Sequence, residues 1–471
     1  MKHHLRDAWV LLLPAMIGLA ACGHSSAPPD QAAAAAVDTG ITPPATPKAA
    51  CGPGSRPESG LQGRLSQADI DSGLALAGIT CNTELVGAYV DTSHLATVGG
   101  WKVEHYADHS GHECAYYDAT DIFPLGVFDN AVGVNVLDMT DPAHPAFIKH
   151  LVTPAMLSPH ESLVISEARG LLVAVLGNPA FGPGVVDVYD VSQDCRDPQL
   201  QSIAPLGTFG HESGIAPDGR TFFSASPSTP TLTAVDISDP KHPAPLWIGD
   251  MTSHGLSISA DGNRAYVADT SGKVKIMDIS QIQSRAPSPR VPEVSEVTWD
   301  SVSIPQNAIP VTIKGKPFLV EIDEFGAGSK VGAGRIIDIA DETQPKVISN
   351  LRLEVHQPEN FAAIANDPGA SSTSYGGYAA HYCNVPTRVD PPIVACSMIL
   401  SGLRIFDIRD PYHPREVAYF NAPLDPSTLS SGPASNAAYS QPAFVPERKE
   451  VWYSDSNSGF YAVRVTNGAW P

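Results

Sequence analysis

The chain has 471 residues, of which 43% are hydrophobic and only 17% charged, so a sizeable core is available and composition argues against disorder beyond the N-terminal region. Its formal charge of -21, from 50 acidic and 29 basic residues, repels phosphate backbones and makes nucleic acid a poor partner. The 39 glycines and 43 prolines fit many tight turns between short strands.

In chain order, Lys2 to Arg6 are basic and Ala8 to Ala21 are apolar and small, the pattern of a secretory signal over 1–21 and too short for a comfortable membrane span. The run ends Leu19-Ala20-Ala21-Cys22-Gly23, which resembles the lipobox of bacterial lipoproteins. That resemblance implies lipidation of Cys22 and places the chain in the cell envelope, anchored to a membrane through acyl chains. Residues 22–60 are rich in Ala, Pro, Ser and Gly and read as a tether. Residues 61–100 form an N-terminal extension, with a brief helical pattern from Ser66 to Ala77. Strands begin near Trp101, and 101–471 reads as one large domain.

That domain is written in a repeated phrase. Gly402-Leu403-Arg404-Ile405-Phe406-Asp407-Ile408-Arg409-Asp410-Pro411-Tyr412-His413-Pro414 alternates apolar residues up to Asp407, and then Asp-Pro stops the run. Proline cannot donate to a ladder, so pairing ends there, and the aspartates can accept backbone N–H groups in the turn. Copies centre on Asp138, Asp190, Asp236, Asp278 and Asp338, and Phe460 to Val465 fits the frame with Arg464 at the Asp position. Seven copies spaced about 54 residues apart mean propeller blades.

The second repeat shows four strands: Glu161 to Ser166, Leu171 to Leu176, Val185 to Val191 and Gln201 to Leu206. The last repeat supplies only three, namely Ala443 to Val445, Val451 to Tyr453 and Phe460 to Val465. A spare strand upstream, Trp101 to Tyr106, is expected to complete it and close the ring. The fold class is therefore all-β, a seven-bladed propeller of four-stranded antiparallel blades whose last blade is closed by an N-terminal strand. Ile405-Phe406-Asp407-Ile408 and Val235-Asp236-Ile237-Ser238-Asp239-Pro240 resemble the LVIVD repeat, over roughly residues 100 to 465. The resemblance implies a bacterial or archaeal surface or secreted propeller and no single activity.

Besides Cys22 there are six cysteines, an even number that suits disulfides outside the cytoplasm. Cys383 and Cys396 lie on neighbouring segments of one repeat and are the first pair. Elimination then leaves Cys51–Cys81 and Cys114–Cys195.

Histidine recurs where the innermost strand of a blade begins: His112, His160, His211 and His254, each 24 to 30 residues ahead of its repeat aspartate. In blade six His381 fits by distance to Asp407 and His356 by distance from Asp338; blades five and seven carry Gln306-Asn307 and Ser440-Gln441 instead. At least four histidines should converge on the axis, giving a candidate metal site at His112, His160, His211, His254 and His381 for Cu, Fe or Zn. Glu113, Glu161 and Glu212 would orient these ligands or move protons. Duplication would also reproduce a purely structural histidine that bonds the next blade's backbone. The architecture is similar to that of other seven-bladed enzymes with an axial metal, the carotenoid oxygenases and the copper-dependent thiol oxidases, without sharing a motif with them.

The Asp-Pro turns lack the dense Asp/Asn spacing of a calcium loop. His144, His242 and His413, between their prolines, read as solvent-facing. No Gly-x-Ser-x-Gly elbow and no phosphate-cradling glycine loop occurs. The sequence thus points to a lipid-anchored envelope propeller that binds a small ligand or protein partner at the channel mouth. The rival class is a periplasmic metal-dependent oxidoreductase using the axial histidines, and a bare envelope scaffold is the third.

Overall fold

The computed structural model describes residues 42–90, 100–119, 133–177, 184–207, 210–227, 229–369, 377–430, 435–455 and 459–471. These form seven antiparallel sheets. From the inner strand outward, blade one is Val103–Ala107, Glu113–Asp118, Val134–Asp138 and Ala146–Leu151. Blade two begins at Val164–Ser166, blade three at Ser213–Ile215, blade four at Gly255–Ile258, blade five at Ile304–Ile313, blade six at Tyr382–Asn384 and blade seven at Ala443–Val445.

The repeated phrase is the third strand of its blade, and in six blades the repeat aspartate is that strand's last residue, as in Gly184–Asp190, Leu232–Asp236 and Leu403–Asp407. Each carboxylate then caps the turn. Asp138 accepts from the Thr140 backbone N–H at 2.9 Å, Asp236 from Ser238 at 2.8 Å and Asp338 from Ala340 at 2.8 Å. In six blades a register shift between the third and fourth strands falls just before this aspartate, as at Val136/Leu137 and Ile405/Phe406. Such a bulge increases local twist, which suits the steep twist of a propeller blade. Between blades the third-strand side chains pack face to face, with Val136, Val188, Val235, Ile276, Ile336 and Ile405 fully buried.

Blade seven has Ala443–Val445, Glu450–Ser454 and Phe460–Val465 from the C-terminal end of the chain. Its outer strand comes from the N-terminal side, but it is Thr83–Tyr89, paired antiparallel with Phe460–Val465, and not Trp101–Tyr106. The stretch expected to close the ring is instead the innermost strand of blade one, Val103–Ala107. Two features hid the true partner. Thr83–Tyr89 is bulged between Leu85 and Gly87, which breaks its alternation. Gly87 also lies against another backbone, since a Cβ there would sit 2.1 Å from the Pro142 carbonyl oxygen.

Residues 42–60, expected as tether, instead run along blades five and six. The Thr46 backbone N–H donates to the Arg352 carbonyl at 2.8 Å, and Cys51 is disulfide-bonded to Cys81. Ile79–Cys81 adds a fifth strand to blade six. The helical pattern resolves into Gln67–Asp71, with Ser66 and Asp69 forming a capping box, and Leu74–Ala77. Arg404 is clamped beneath this extension between Glu58 at 2.9 Å and Glu416 at 3.1 Å, over the Tyr419 ring. Cys114–Cys195 and Cys383–Cys396 complete three disulfides, an arrangement suited to an oxidising, extracytoplasmic environment. Among the described residues no helix is long and apolar enough to cross a membrane.

Candidate metal centre

An inner strand enters the propeller from one mouth, so the residue just ahead of it faces the axis. In blades two, three, four and six that residue, or the turn leading into the strand, supplies His160, His211, His254 and His381. All four are buried, with exposures of 3%, 8%, 2% and 0%. The His160 and His211 ring centroids are 4.5 Å apart, and those of His211 and His254 are 4.7 Å apart. The His211 and His254 Nε2 atoms approach to 2.9 Å.

Two carboxylates stand among the rings. Glu161, 1% exposed, has Oε2 3.0 Å from His211 Nε2 and 3.7 Å from His254 Nε2, and Oε1 3.2 Å from His381 Nε2 and 3.8 Å from His160 Nε2. Glu324, from the end of the second strand of blade five (Lys316–Glu324), lies 3.1 Å from His381 Nε2 and 3.4 Å from His254 Nε2. Glu161 is therefore at the centre of the cluster and not behind it, as its expected orienting role required. His160, Glu161 and His211 are spaced closely enough to hold one metal ion, as are Glu161, Glu324 and His381.

The metal-binding and structural readings of these histidines meet in the same rings. His254 donates Nδ1–H to the Pro305 carbonyl at 2.9 Å, and His381 donates Nδ1–H to the Tyr439 carbonyl at 2.7 Å. Each acceptor belongs to the next blade round the ring. A carbonyl can only accept, so these bonds fix the tautomer and leave Nε2 turned to the carboxylates, the arrangement that orients a metal-ligating imidazole.

The electrostatics of the cluster are those of crowded anions and imidazoles. Burial pushes His160 well below the ordinary histidine range, and it lowers His254 as well. Burial also opposes protonation of His211 and His381, yet Glu161 raises the first, and Glu161 with Glu324 carries the second up to about 10. Against the same burial, His211 and His160 hold Glu161 well below the usual carboxylate range. A divalent cation would supply positive charge beside the same acidic side chains.

On one side the cluster rests on a polar floor. Gln306 donates to Glu161 Oε2 at 2.7 Å, Asn307 donates to Glu212 Oε1, and Lys102 Nζ lies 3.4 Å from that same oxygen. Burial pushes Glu212 up to about 8. Lys102, Glu212 and Asn307 also line an axial cavity of about 1000 Å³, together with Glu104, Ser257 and Gln441.

His112 does not join the axial group. It lies in the hairpin between the first two strands of blade one, where its Nδ1 is 2.9 Å from the Asp108 carboxylate, which also accepts the Cys195 backbone N–H. The one-strand slip that misplaced Trp101–Tyr106 carried His112 inward with it. Glu113 is displaced likewise, pairing with Arg448 at 2.6 Å. In blade one the axial place belongs to Trp101, its ring 4.5 Å from His160 and 5.5 Å from His381. His356 is buried elsewhere, with its Nε2 2.8 Å from the Tyr378 carbonyl oxygen. The exposed His144, His242 and His413 each pair with the aspartate three residues earlier. Trp101, Lys102 and Glu324 gave no sequence signal. Two belong to the misassigned strand, and Glu324 comes from the end of a second strand.

The molecule is thus a seven-bladed β-propeller with a His/Glu cluster on its axis that could hold a metal. Its fourth blade carries an LVIVD repeat, matched over residues 254–284. No curated protein matches the chain. Similar solved structures include a protein named as a 6-phosphogluconolactonase from Bacteroides uniformis, at 14% identity over 69% of this chain and 85% of that one, with a TM-score of 0.49. A second of that name, from Bacteroides fragilis, has 13% identity over 83% and 90%, with a TM-score of 0.47. Kuenenia stuttgartiensis hydrazine synthase has 12% identity over 80% and 99%, with a TM-score of 0.47.

Proposed function

We propose that this chain is an exported, lipid-anchored metalloprotein that binds one transition metal on the propeller axis, in the oxidoreductase class. The observation that carries the reading is the convergence of four buried imidazoles from four blades on two buried carboxylates. His160, His211, His254 and His381 would supply the nitrogens, with Glu161 or Glu324 as an oxygen ligand. Imidazole-rich sites with a carboxylate suit Cu, Fe and Zn, and such a metal would supply redox or Lewis-acid chemistry. Among the described residues, four buried polar atoms around the cluster lack a hydrogen-bond partner: His160 Nδ1, Trp101 Nε1, Gln306 Oε1 and Glu212 Oε2. Each of these atoms could meet a bound ion or its solvent. The test is the metal content of the purified protein.

A second reading, binding of a small organic ligand, draws on the axial cavity. Both readings place the protein in the cell envelope, held by lipid at Cys22. That residue lies outside the described ones, and the support is the lipobox resemblance together with the three disulfides. Cys22→Ser is expected to move the protein from the membrane fraction to the soluble fraction and to abolish incorporation of acyl label. Retention of both membrane association and label would refute the anchor.

A further inference from the structure

Two of the partnerless atoms are nitrogens of rings that pack against each other, Trp101 Nε1 and His160 Nδ1. Trp101 is 8% exposed. It stands where four other blades place histidine, wedged between His160, His381 and Tyr439, with centroids at 4.5, 5.5 and 5.3 Å. The indole fills this place but buries a donor there. An indole N–H can only donate, and leaving it unmet in the interior is costly. The neighbouring backbone is also held in an uncommon state, since His160 has a φ of 52°, in the left-handed region that disfavours a side chain. The partnerless acceptors, Gln306 Oε1 and Glu212 Oε2, belong to the floor beside Asn307 and Lys102. Among these four atoms the Trp101 indole N–H is the one that can only donate.

We propose that the Trp101 side of the centre binds a small oxyanion, a carboxylate or nitrite-like group, with the Trp101 indole N–H donating to one of its oxygens. This rests on the metal reading, in which the metal supplies the positive charge that the anion faces. Trp101 is then a substrate-positioning residue, and the substrate class is a compound presenting a small planar oxyanion. A donor aimed at an anionic oxygen makes a bond of the stronger, charge-assisted kind.

Formate is the probe. Calorimetric titration of the full chain, metal-loaded and metal-free, is expected to show formate binding to the loaded form. Trp101→Phe should bind formate about tenfold more weakly at unchanged metal content, as expected for loss of one hydrogen bond to a charged group. A second measurement does not depend on how well that variant packs. In zinc-loaded mature protein with ¹⁵N-labelled tryptophan, five indole signals are expected, since Trp9 lies within the signal segment. The one absent from the Trp101→Phe spectrum should move as formate is added. Unchanged formate affinity in Trp101→Phe, or a Trp101 signal that stays fixed, overturns the proposal. If the protein takes up no metal, the metal reading fails by itself. Formate binding that still depends on Trp101 would then support an oxyanion site made by the imidazoles, and absence of formate binding in both forms would overturn it.

Discussion

His160→Ala combined with His211→Ala is expected to leave a folded propeller that has lost its metal, from about one equivalent to under about a tenth. The two residues belong to blades two and three, and both face Glu161, at 3.8 and 3.0 Å. Their removal takes out two of four nitrogens and leaves a carboxylate-rich site that suits harder cations instead. The blades themselves stay intact, because among the described residues neither ring makes a backbone bond to the next blade of the kind that His254 and His381 make. A chelator distinguishes loss of metal from loss of fold. It should lower the melting temperature of the parent protein, since a metal that binds only the folded state stabilises it by mass action, and it should not affect the double variant. Equal metal content in the two proteins would remove these histidines from the ligand set.

Arg404→Ala is expected to produce the largest loss of stability of any single substitution in blade six, about 3–5 kcal/mol. Arg404 is 1% exposed, and its guanidinium holds Glu58 at 2.9 Å and Glu416 at 3.1 Å while also donating to the Ser401 carbonyl at 2.7 Å. Truncation leaves two buried carboxylates facing each other without a counter-charge. Glu58 is part of the N-terminal extension, so the damage should appear there first, as faster proteolysis within residues 50–80 ahead of global unfolding. Calorimetry and limited proteolysis read the two effects. A melting temperature unchanged from the parent would show that the clamp is dispensable.

The architecture was legible because its signal repeats. Asp138, Asp190, Asp236, Asp278, Asp338 and Asp407 each end a third strand and cap a turn, a local effect of proline and of a short carboxylate that needs no tertiary information. The Cys383–Cys396 pair followed from strands adjacent in both sequence and sheet, Cys383 lying opposite Cys396 in register. Closure was legible in kind but not in detail. The last repeat lacks one strand, yet the strand that fills the place, Thr83–Tyr89, is bulged and partly exposed, so its periodicity is weak. That single slip also brought His112 inward and concealed Trp101 and Lys102.

The candidate site divides along the same line. His160, His211, His254 and His381 could be found because each sits near the start of an inner strand, at a near-constant distance ahead of its repeat aspartate. Glu324 could not, because it reaches the axis from the far end of a nine-residue strand, and one carboxylate among 50 acidic residues carries no mark. The central place of Glu161 was equally hidden, since it depends on the short turn His160–Ser162 that lifts the residue off the strand. Three-dimensional closure of the ring decides both.

Elemental analysis of the unmodified protein, purified from its own envelope without chelators, tests the central claim most directly. The account predicts about one equivalent of Cu, Fe or Zn per chain. Less than about a tenth of an equivalent, with none taken up on incubation with these ions, would contradict it and leave the axial imidazoles as ties between blades.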